Sequence, residues 1–140
     1  MKKLFFVAAA MFCAVSASAQ EKMIEVSQLP QTAKTFISTH YKSDKVNIAT
    51  TERKEYKVLF DSGTKVEFNA KGEWKEVENK RKVAVPNAIV PANIAKMVKA
   101  KFPKNIIVAI EKDGKFVDVE LDNGVELKFN SKGELVELDS

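Results

Sequence analysis

The chain has 140 residues, 30% of them charged, a formal net charge of +4 and one cysteine, Cys13. A lone thiol excludes an intrachain disulfide framework and a cysteine zinc site, so the fold must rest on an apolar core of one domain's size. Taking the leader lysines Lys2 and Lys3 from 23 basic residues leaves 21 against 19 acidic ones, too even a balance for a nucleic-acid surface.

Residues 1–19 read as a secretory signal peptide. Lys2-Lys3 precede an apolar run from Leu4 to Val15, and Ser16-Ala17-Ser18-Ala19 supply the small residues before a cut after Ala19. The run is too short to span a bilayer comfortably, so no integral membrane segment is expected after cleavage. Lipidation at Cys13 is disfavoured by the bulky Phe12 before it. The mature protein is expected to be periplasmic or secreted.

The mature chain repeats itself. Asp61 to Trp74 is answered by Asp122 to Leu135 at an offset of 61, and Leu29-Pro30 by Val90-Pro91 at the same offset. A supersecondary unit built twice is the simplest reading. We expect repeat 1 over 20–78, a linker over 79–89 and repeat 2 over 90–140.

Each unit opens with a helix. Ala33, Phe36, Ile37 and Tyr41 share one helical face in the first copy, as do Ile94, Met97, Val98 and Phe102 in the second. Pro30 and Pro91 suit the first helical turn. Alternating segments follow: Tyr56, Val58, Phe60 then Val66, Phe68 in copy one; Val117, Val119, Leu121 then Leu127, Phe129 in copy two. Such alternation marks strands buried on one face. Keeping one face apolar sets the register. A three-residue turn at Asp61-Ser62-Gly63 pairs Val58 with Val66 and Tyr56 with Phe68, and its counterpart pairs Val119 with Leu127 and Val117 with Phe129. The turns at Ala70-Lys71-Gly72 and Ser131-Lys132-Gly133 bring Phe68 opposite Trp74 and Phe129 opposite Leu135. Val77 and Leu138 then fall out of phase, which predicts a bulge in each last strand.

The first hairpins read differently. A three-residue turn at Glu52-Arg53-Lys54 sets Ile48 opposite Val58 and Val46 opposite Phe60. A two-residue turn at Asp113-Gly114 sets Ile110, Val108 and Ile106 opposite Val117, Val119 and Leu121. The fold class is thus α+β: two tandem repeats of one helix plus a four-stranded antiparallel meander, helices on one face. Up to eight strands are expected, in one continuous sheet or two.

The D-x-G turn, the F-N-x-K-G-E turn and the Leu-Pro or Val-Pro helix starts, in duplicated order, carry a resemblance. From Leu29 to Asp139 the chain resembles exported β-lactamase-inhibitor-like, PepSY-like proteins. The resemblance implies two α-β-β-β-β repeats, a periplasmic or surface location in a Gram-negative cell, and a binding or inhibitory role of the kind by which PepSY domains restrain peptidases. It carries no catalytic residues. Inhibition of a β-lactamase does not follow from shared architecture.

Residue chemistry points the same way. His40, the only histidine, ends an amphipathic helix and has no second ligand of its kind for zinc, so neither catalysis nor a metal is assigned to it. Asp61 and Asp122 could offer oxygens to calcium, but the D-x-[DN]-x-[DN]-G spacing is absent and an aspartate opening a glycine turn caps its own backbone. Lys80-Arg81-Lys82 reads as a solvated charge run rather than a lipid contact. Trp74, aligned with Leu135, reads as core rather than an exposed anchor.

The outward sheet positions are the candidate binding face. Copy one presents Lys57, Leu59, Lys65 and Glu67; the matching sites of copy two present Asp118, Glu120, Glu126 and Lys128. Core positions keep their character while these change sign, as a polarised docking face would. The expectation is an exported, non-enzymatic binding module without cofactor or metal, an inhibitor or sensor of an envelope protein or peptidase. Its partner would be an envelope protein or peptide, not nucleic acid. The alternative is a calcium-responsive structural envelope protein.

Overall fold

Each copy's apolar helix face meets apolar strand positions, and the chain is arranged around that contact. The computed structural model describes residues 20–140; the expected signal peptide and its Cys13 lie outside the described residues. Helix α1 (Gln31–His40) and helix α2 (Ala92–Lys101) begin directly after Pro30 and Pro91, which stand at the N-cap rather than inside the first turn. There the missing N–H still costs nothing, and their carbonyls accept from the amides of Lys34 and Ala95. Ala33, Ile94 and Val98 are buried, while Phe36, Ile37, Tyr41, Met97 and Phe102 pack at the border of the same core. Phe36 meets Phe68 edge-on at 5.6 Å between ring centroids, and Tyr41 stacks on Phe60 at 4.9 Å.

The strands are β1 (Lys22–Ile24), β2 (Val46–Glu52), β3 (Glu55–Phe60), β4 (Thr64–Phe68), β5 (Trp74–Asn79), β6 (Ile107–Asp113), β7 (Phe116–Leu121), β8 (Glu126–Phe129) and β9 (Leu135–Asp139). They form one antiparallel sheet in chain order. The expected ceiling of eight strands is therefore too low. β1 carries no sequence signal, because its three residues, with Met23 76% exposed, show no alternation.

Registers at the glycine turns match the sequence reading. Val58 faces Val66, Tyr56 faces Phe68, Val119 faces Leu127 and Val117 faces Phe129. Phe68 faces Trp74 and Phe129 faces Leu135, with a register shift in each pairing where the bulge was expected.

The first hairpins differ from expectation in both copies. Glu52 pairs with Glu55, so the turn has two residues, Arg53 and Lys54, both left-handed at φ +52° and +67°. Neither residue type advertises that conformation, which two-residue hairpins demand. Ala49, not Ile48, faces Val58, and a bulge before Ile48 restores Val46 opposite Phe60. In copy two Asp113 pairs with Phe116 around Gly114-Lys115, so Ile110 faces Val119 and Lys112 faces Val117. A bulge between Ile107 and Ala109 then sets Ile107, not Ile106, opposite Leu121, and Ile106 is left 41% exposed. Both copies thus use the same turn length and the same bulge.

These registers align one residue from each strand into a continuous apolar row: Ile24, Ala49, Val58, Val66, Val77, Ile110, Val119, Leu127 and Leu138. From Val58 to Leu127 every member has no exposed surface. Each such side chain contributes roughly 1.5–3 kcal/mol of burial. The linker is docked too: Asn79 Oδ1 accepts from the amides of Arg81 and Val83, the Val85 amide donates to Ile107, and Val85, Ile89 and Val90 are buried.

The F-N-x-K-G-E turns lock the last hairpins to the helix starts. Asn69 Oδ1 accepts from the amides of Lys71 and Glu73 at 3.0 and 2.9 Å, and Asn130 does the same for Lys132 and Glu134, both at 2.9 Å. Gly72 has φ +86°, and a Cβ there would lie 2.8 Å from Pro30 Cβ and 3.0 Å from the Ala33 amide nitrogen. Gly114 is also left-handed, at φ +62°, but a Cβ there meets nothing within 4 Å. Gly72→Ala should therefore cost roughly 2–4 kcal/mol, strain plus a backbone clash, and Gly114→Ala only about 1 kcal/mol. Denaturant unfolding of the two variants measures the difference; equal costs would show that the turn does not press on the helix.

Candidate functional site

The face opposite the helices is ionic, and the register that buries the apolar row builds it. One residue along each strand lies a second row: Lys57, Glu67, Glu76, Glu111, Asp118, Lys128 and Glu137, each directly opposite the next across β3 to β9. Four neighbouring carboxylates separate Lys57 from Lys128. Like charges directly opposite each other destabilise a sheet, so this arrangement demands an account. A parallel row holds Leu59, Lys65, Glu78, Ala109, Glu120, Glu126 and Asp139.

All eight sequence-selected positions fall in these two rows. The structure adds Glu76, Glu78 and Glu111, which the sequence reading passed over. Glu76-Val77-Glu78 and Glu111 show outward alternation on β5 and β6, but only the pairing of β5 with β6 brings them together. That pairing joins the two copies and has no local signal.

The face is buried more deeply than a solvated surface would be. Lys65, Glu76, Asp118 and Glu126 have relative exposures of 8%, 3%, 0% and 2%. Lys65 Nζ serves three acids, at 3.3 Å from Glu67, 3.8 Å from Glu76 and 3.5 Å from Glu78. Lys128 Nζ lies 2.9 Å from Asp118 Oδ1 and 3.6 Å from Asp113, and sits 5.0 Å from the centroid of the Phe116 ring. Lys57 pairs with Glu21 at 2.9 Å. These cations do not satisfy the row. Glu76 Oε2, Glu111 Oε1 and Asp118 Oδ2 are buried without a hydrogen-bond donor, as are both oxygens of Glu52.

The protonation energetics follow. Burial, only partly offset by Lys65, pushes the Glu76 carboxyl up to about 7. Burial and then the charges of Glu76 and Asp118 push Glu111 up to about 8. Asp118 is also raised by burial, against the pull of Lys128. Burial works against the charged form of Lys65, yet Glu76, Glu67 and Glu78 outweigh it and hold the ammonium above its usual range. At neutral pH the row therefore keeps protons that isolated carboxyls would lose.

The other candidates resolve into structural roles. Asp122 reaches beyond its own turn: its Oδ1 accepts from Asn105 Nδ2 at 2.9 Å and from the Ile106 amide at 3.2 Å, fastening the segment that enters β6. In copy one that fastening is done by Asp44, which accepts from Ser62 Oγ, while the Asp61 carbonyl accepts from Arg81. Arg81 and Lys82 spend their charge on the carbonyls of Asp61 and Asp122. The His40 ring lies tilted at 55° to Phe36, 4.7 Å between centroids, and its imidazole makes no hydrogen bond among the described residues. Trp74 borders the core beside Phe68 rather than lying within it, with Lys112 Nζ 4.0 Å from its ring centroid.

A one-sided antiparallel sheet with an ionic far face places the chain among α+β sheet proteins. It belongs to the PepSY-like family: the profile described as "Putative beta-lactamase-inhibitor-like, PepSY-like" matches it twice, over residues 15–58 and 54–137. Three solved Bacteroides structures share the fold, each covering 86% of this chain. A "putative calcium-regulated periplasmic protein" from Bacteroides thetaiotaomicron is 40% identical, is covered over 97% of its length and superposes with a TM-score of 0.81. A DUF2874-family periplasmic protein from Bacteroides vulgatus gives 42%, 98% and 0.82. A periplasmic protein of unknown function from the same species gives 30%, 99% and 0.79. No curated protein matches. The chain, like these neighbours, is periplasmic, and none of the described helices is long and apolar enough to cross a membrane.

The protonated row makes stability depend on pH. Between about 4.5, the ordinary carboxyl value, and about 8, the folded chain holds protons on Glu76 and Glu111 that the unfolded chain has released. Stability should therefore fall as pH rises through that window. Glu111→Gln removes the largest contributor and should flatten the profile, adding on the order of 1–2 kcal/mol at pH 8 after allowance for solvent screening. Urea unfolding from pH 5 to pH 8 measures this; stability that rises across the window refutes the raised carboxyls.

Proposed function

We propose that this protein is a non-catalytic binding module of the periplasm, in which the ionic sheet face holds a cationic segment of an envelope protein or peptide. The observation that carries the proposal is the run Glu67, Glu76, Glu111, Asp118, four carboxylates in cross-strand sequence, the last three with donor-less buried oxygens. Carboxylates crowded in this way cost the free protein stability. A lysine or arginine side chain brought from outside would supply the missing donors and draw the bound protons off. The binding residues proposed are Lys57, Leu59, Lys65, Glu67, Asp118, Glu120, Glu126 and Lys128 from the sequence reading, with Glu76, Glu78 and Glu111 added. Leu59 gives the apolar contact beside Ile48. The first unit, 20–78, contributes a helix and five strands and the second, 90–140, a helix and four, with the sites nearest their junction at the centre of the face. The family's inhibitor-like description supports a binding rather than a catalytic role, and a peptidase or sensor in the envelope is the class of partner this suits.

One specific observation supports a second reading. The relative from Bacteroides thetaiotaomicron is described as calcium-regulated, and a row of carboxylates offers hard oxygen donors. Against it, among the described residues no group of three or more histidine, cysteine, aspartate or glutamate residues is disposed to hold a metal ion.

Two experiments separate these readings. An arginine-rich decapeptide should bind and its glutamate-rich counterpart should not; Glu67→Gln with Glu111→Gln should weaken binding about tenfold, and salt should weaken it further. Equal binding of the two peptides defeats the proposal. Melting in millimolar calcium against chelator should leave the midpoint unchanged, whereas a calcium-responsive protein would show a rise.

A further inference from the structure

The helix side of the same sheet holds a separate anomaly. By alternation Lys112 shares the apolar face with Ile110, and it lies opposite Val117. It is an exposed lysine at the margin of that face, beside the buried Ile110 and the half-buried Val117. The corresponding position in the first copy, Thr51, spends its hydroxyl on the Glu55 carbonyl. Lys112 makes no ion pair among the described residues, although every other sheet lysine near it has a carboxylate within reach: Lys75 has Glu55 at 2.9 Å, and Lys65 and Lys128 have theirs. Its ammonium instead sits 4.0 Å from the centroid of the Trp74 ring. Burial lowers its affinity for the proton, and the charge of Glu73 only partly restores it. Glu73 is itself occupied, its Oε1 accepting from Asn69 Nδ2 at 2.9 Å.

This unpaired cation opens onto a cleft. Between α1 and the segment leading into α2 lies a space of about 300 Å³, walled by Phe36 and Trp74 on one side and Ile89 and Pro91 on the other, with His40 at its lining and Lys112 on its floor beside Ile110. That volume is at the lower end of small-molecule sites, which are mostly apolar with few polar groups to fix orientation. The walls are aromatic and aliphatic, and the one charged group on the sheet side is positive. A ligand complementary to this cleft has an apolar body and a single negative charge. A cation would meet Lys112 repulsively, and a strongly hydrated inorganic anion would leave the aromatic walls uncovered.

We propose that the cleft is a binding site for a small amphipathic monocarboxylate, its carboxylate paired with Lys112 and its aromatic or short aliphatic body lying against Trp74, Phe36 and Ile89. The site is on the opposite face from the ionic rows, so it stands or falls independently of the function proposed above. The cation–π contact with Trp74 orients the ammonium before the ligand arrives, which limits the ordering cost of binding.

Trp74 is the only tryptophan in the chain, so its emission reports directly on the cleft. Titration of the intact protein with 3-phenylpropionate should give a saturable change in Trp74 emission. The neutral 3-phenylpropanamide should bind about tenfold or more weakly, the loss of one partly desolvated ion pair. Lys112→Met should weaken the acid's binding by a similar factor and leave the amide's unchanged, while Lys112→Arg retains the acid. Removing a solvent-exposed cation at the margin of the core does not threaten folding, and a melt of Lys112→Met verifies that the variant is native. The proposal is overturned if emission shows no saturable change up to about 10 mM acid, if acid and amide bind equally, or if folded Lys112→Met binds the acid as the wild type does.

Discussion

The pairing of Val77 with Ile110 is the contact on which the rest of the molecule depends. It joins the last strand of the first copy to the first strand of the second, and so extends the apolar row unbroken from Val58 to Leu127. Neither helix could bury its apolar face on half a sheet as well: Ala33, Ile94 and Val98 belong to one continuous core with that row. Side-chain direction alternates along a strand, so a slip of one residue at this junction would carry Glu76 and Glu78 under the helices and Val77 into the ionic face. The register is therefore strongly specified by what it keeps dry.

The same constraint creates the ionic face. With Val77 opposite Ile110, Glu76 must lie opposite Glu111. The carboxylate row is the geometric shadow of the apolar row, one residue further along every strand. Apolar burial outweighs the local repulsion, and the carboxyls relieve the remainder by keeping protons. What physical chemistry leaves unexplained is why glutamates stand there at all, since threonine or glutamine would suit the sheet without that cost. A cationic partner is an answer that uses the cost.

Legibility in the sequence followed the locality of the signal. The β3–β4 and β4–β5 registers could be read because D-x-G and N-x-K-G-E declare their backbone conformation, through a left-handed glycine and an asparagine that binds two following amides. The bulges near Lys75 and Val136 could be read because Val77 and Leu138 had to return to the apolar face. The β2–β3 turn could not, because Arg53 and Lys54 adopt left-handed backbone that their side chains do not announce. In copy two the glycine is visible but stands first in its turn rather than second, and this one-residue difference, with the bulge, brings Ile107 rather than Ile106 opposite Leu121. Half of the ionic face was visible as sign changes between matched positions. Glu76 and Glu111 came into view only through a contact between copies, and Lys112 only when its strand was seen to place it on the apolar side.

Native-state hydrogen exchange at the junction tests the continuity of the sheet most directly. The β5 and β6 amides should open with the same free energy as those of β3 and β4, because one cooperative unit contains them all. Fast exchange across Glu76 to Glu78 and Ala109 to Glu111, with protection kept inside each half, would show two units lying side by side and would remove the basis for a shared ionic face.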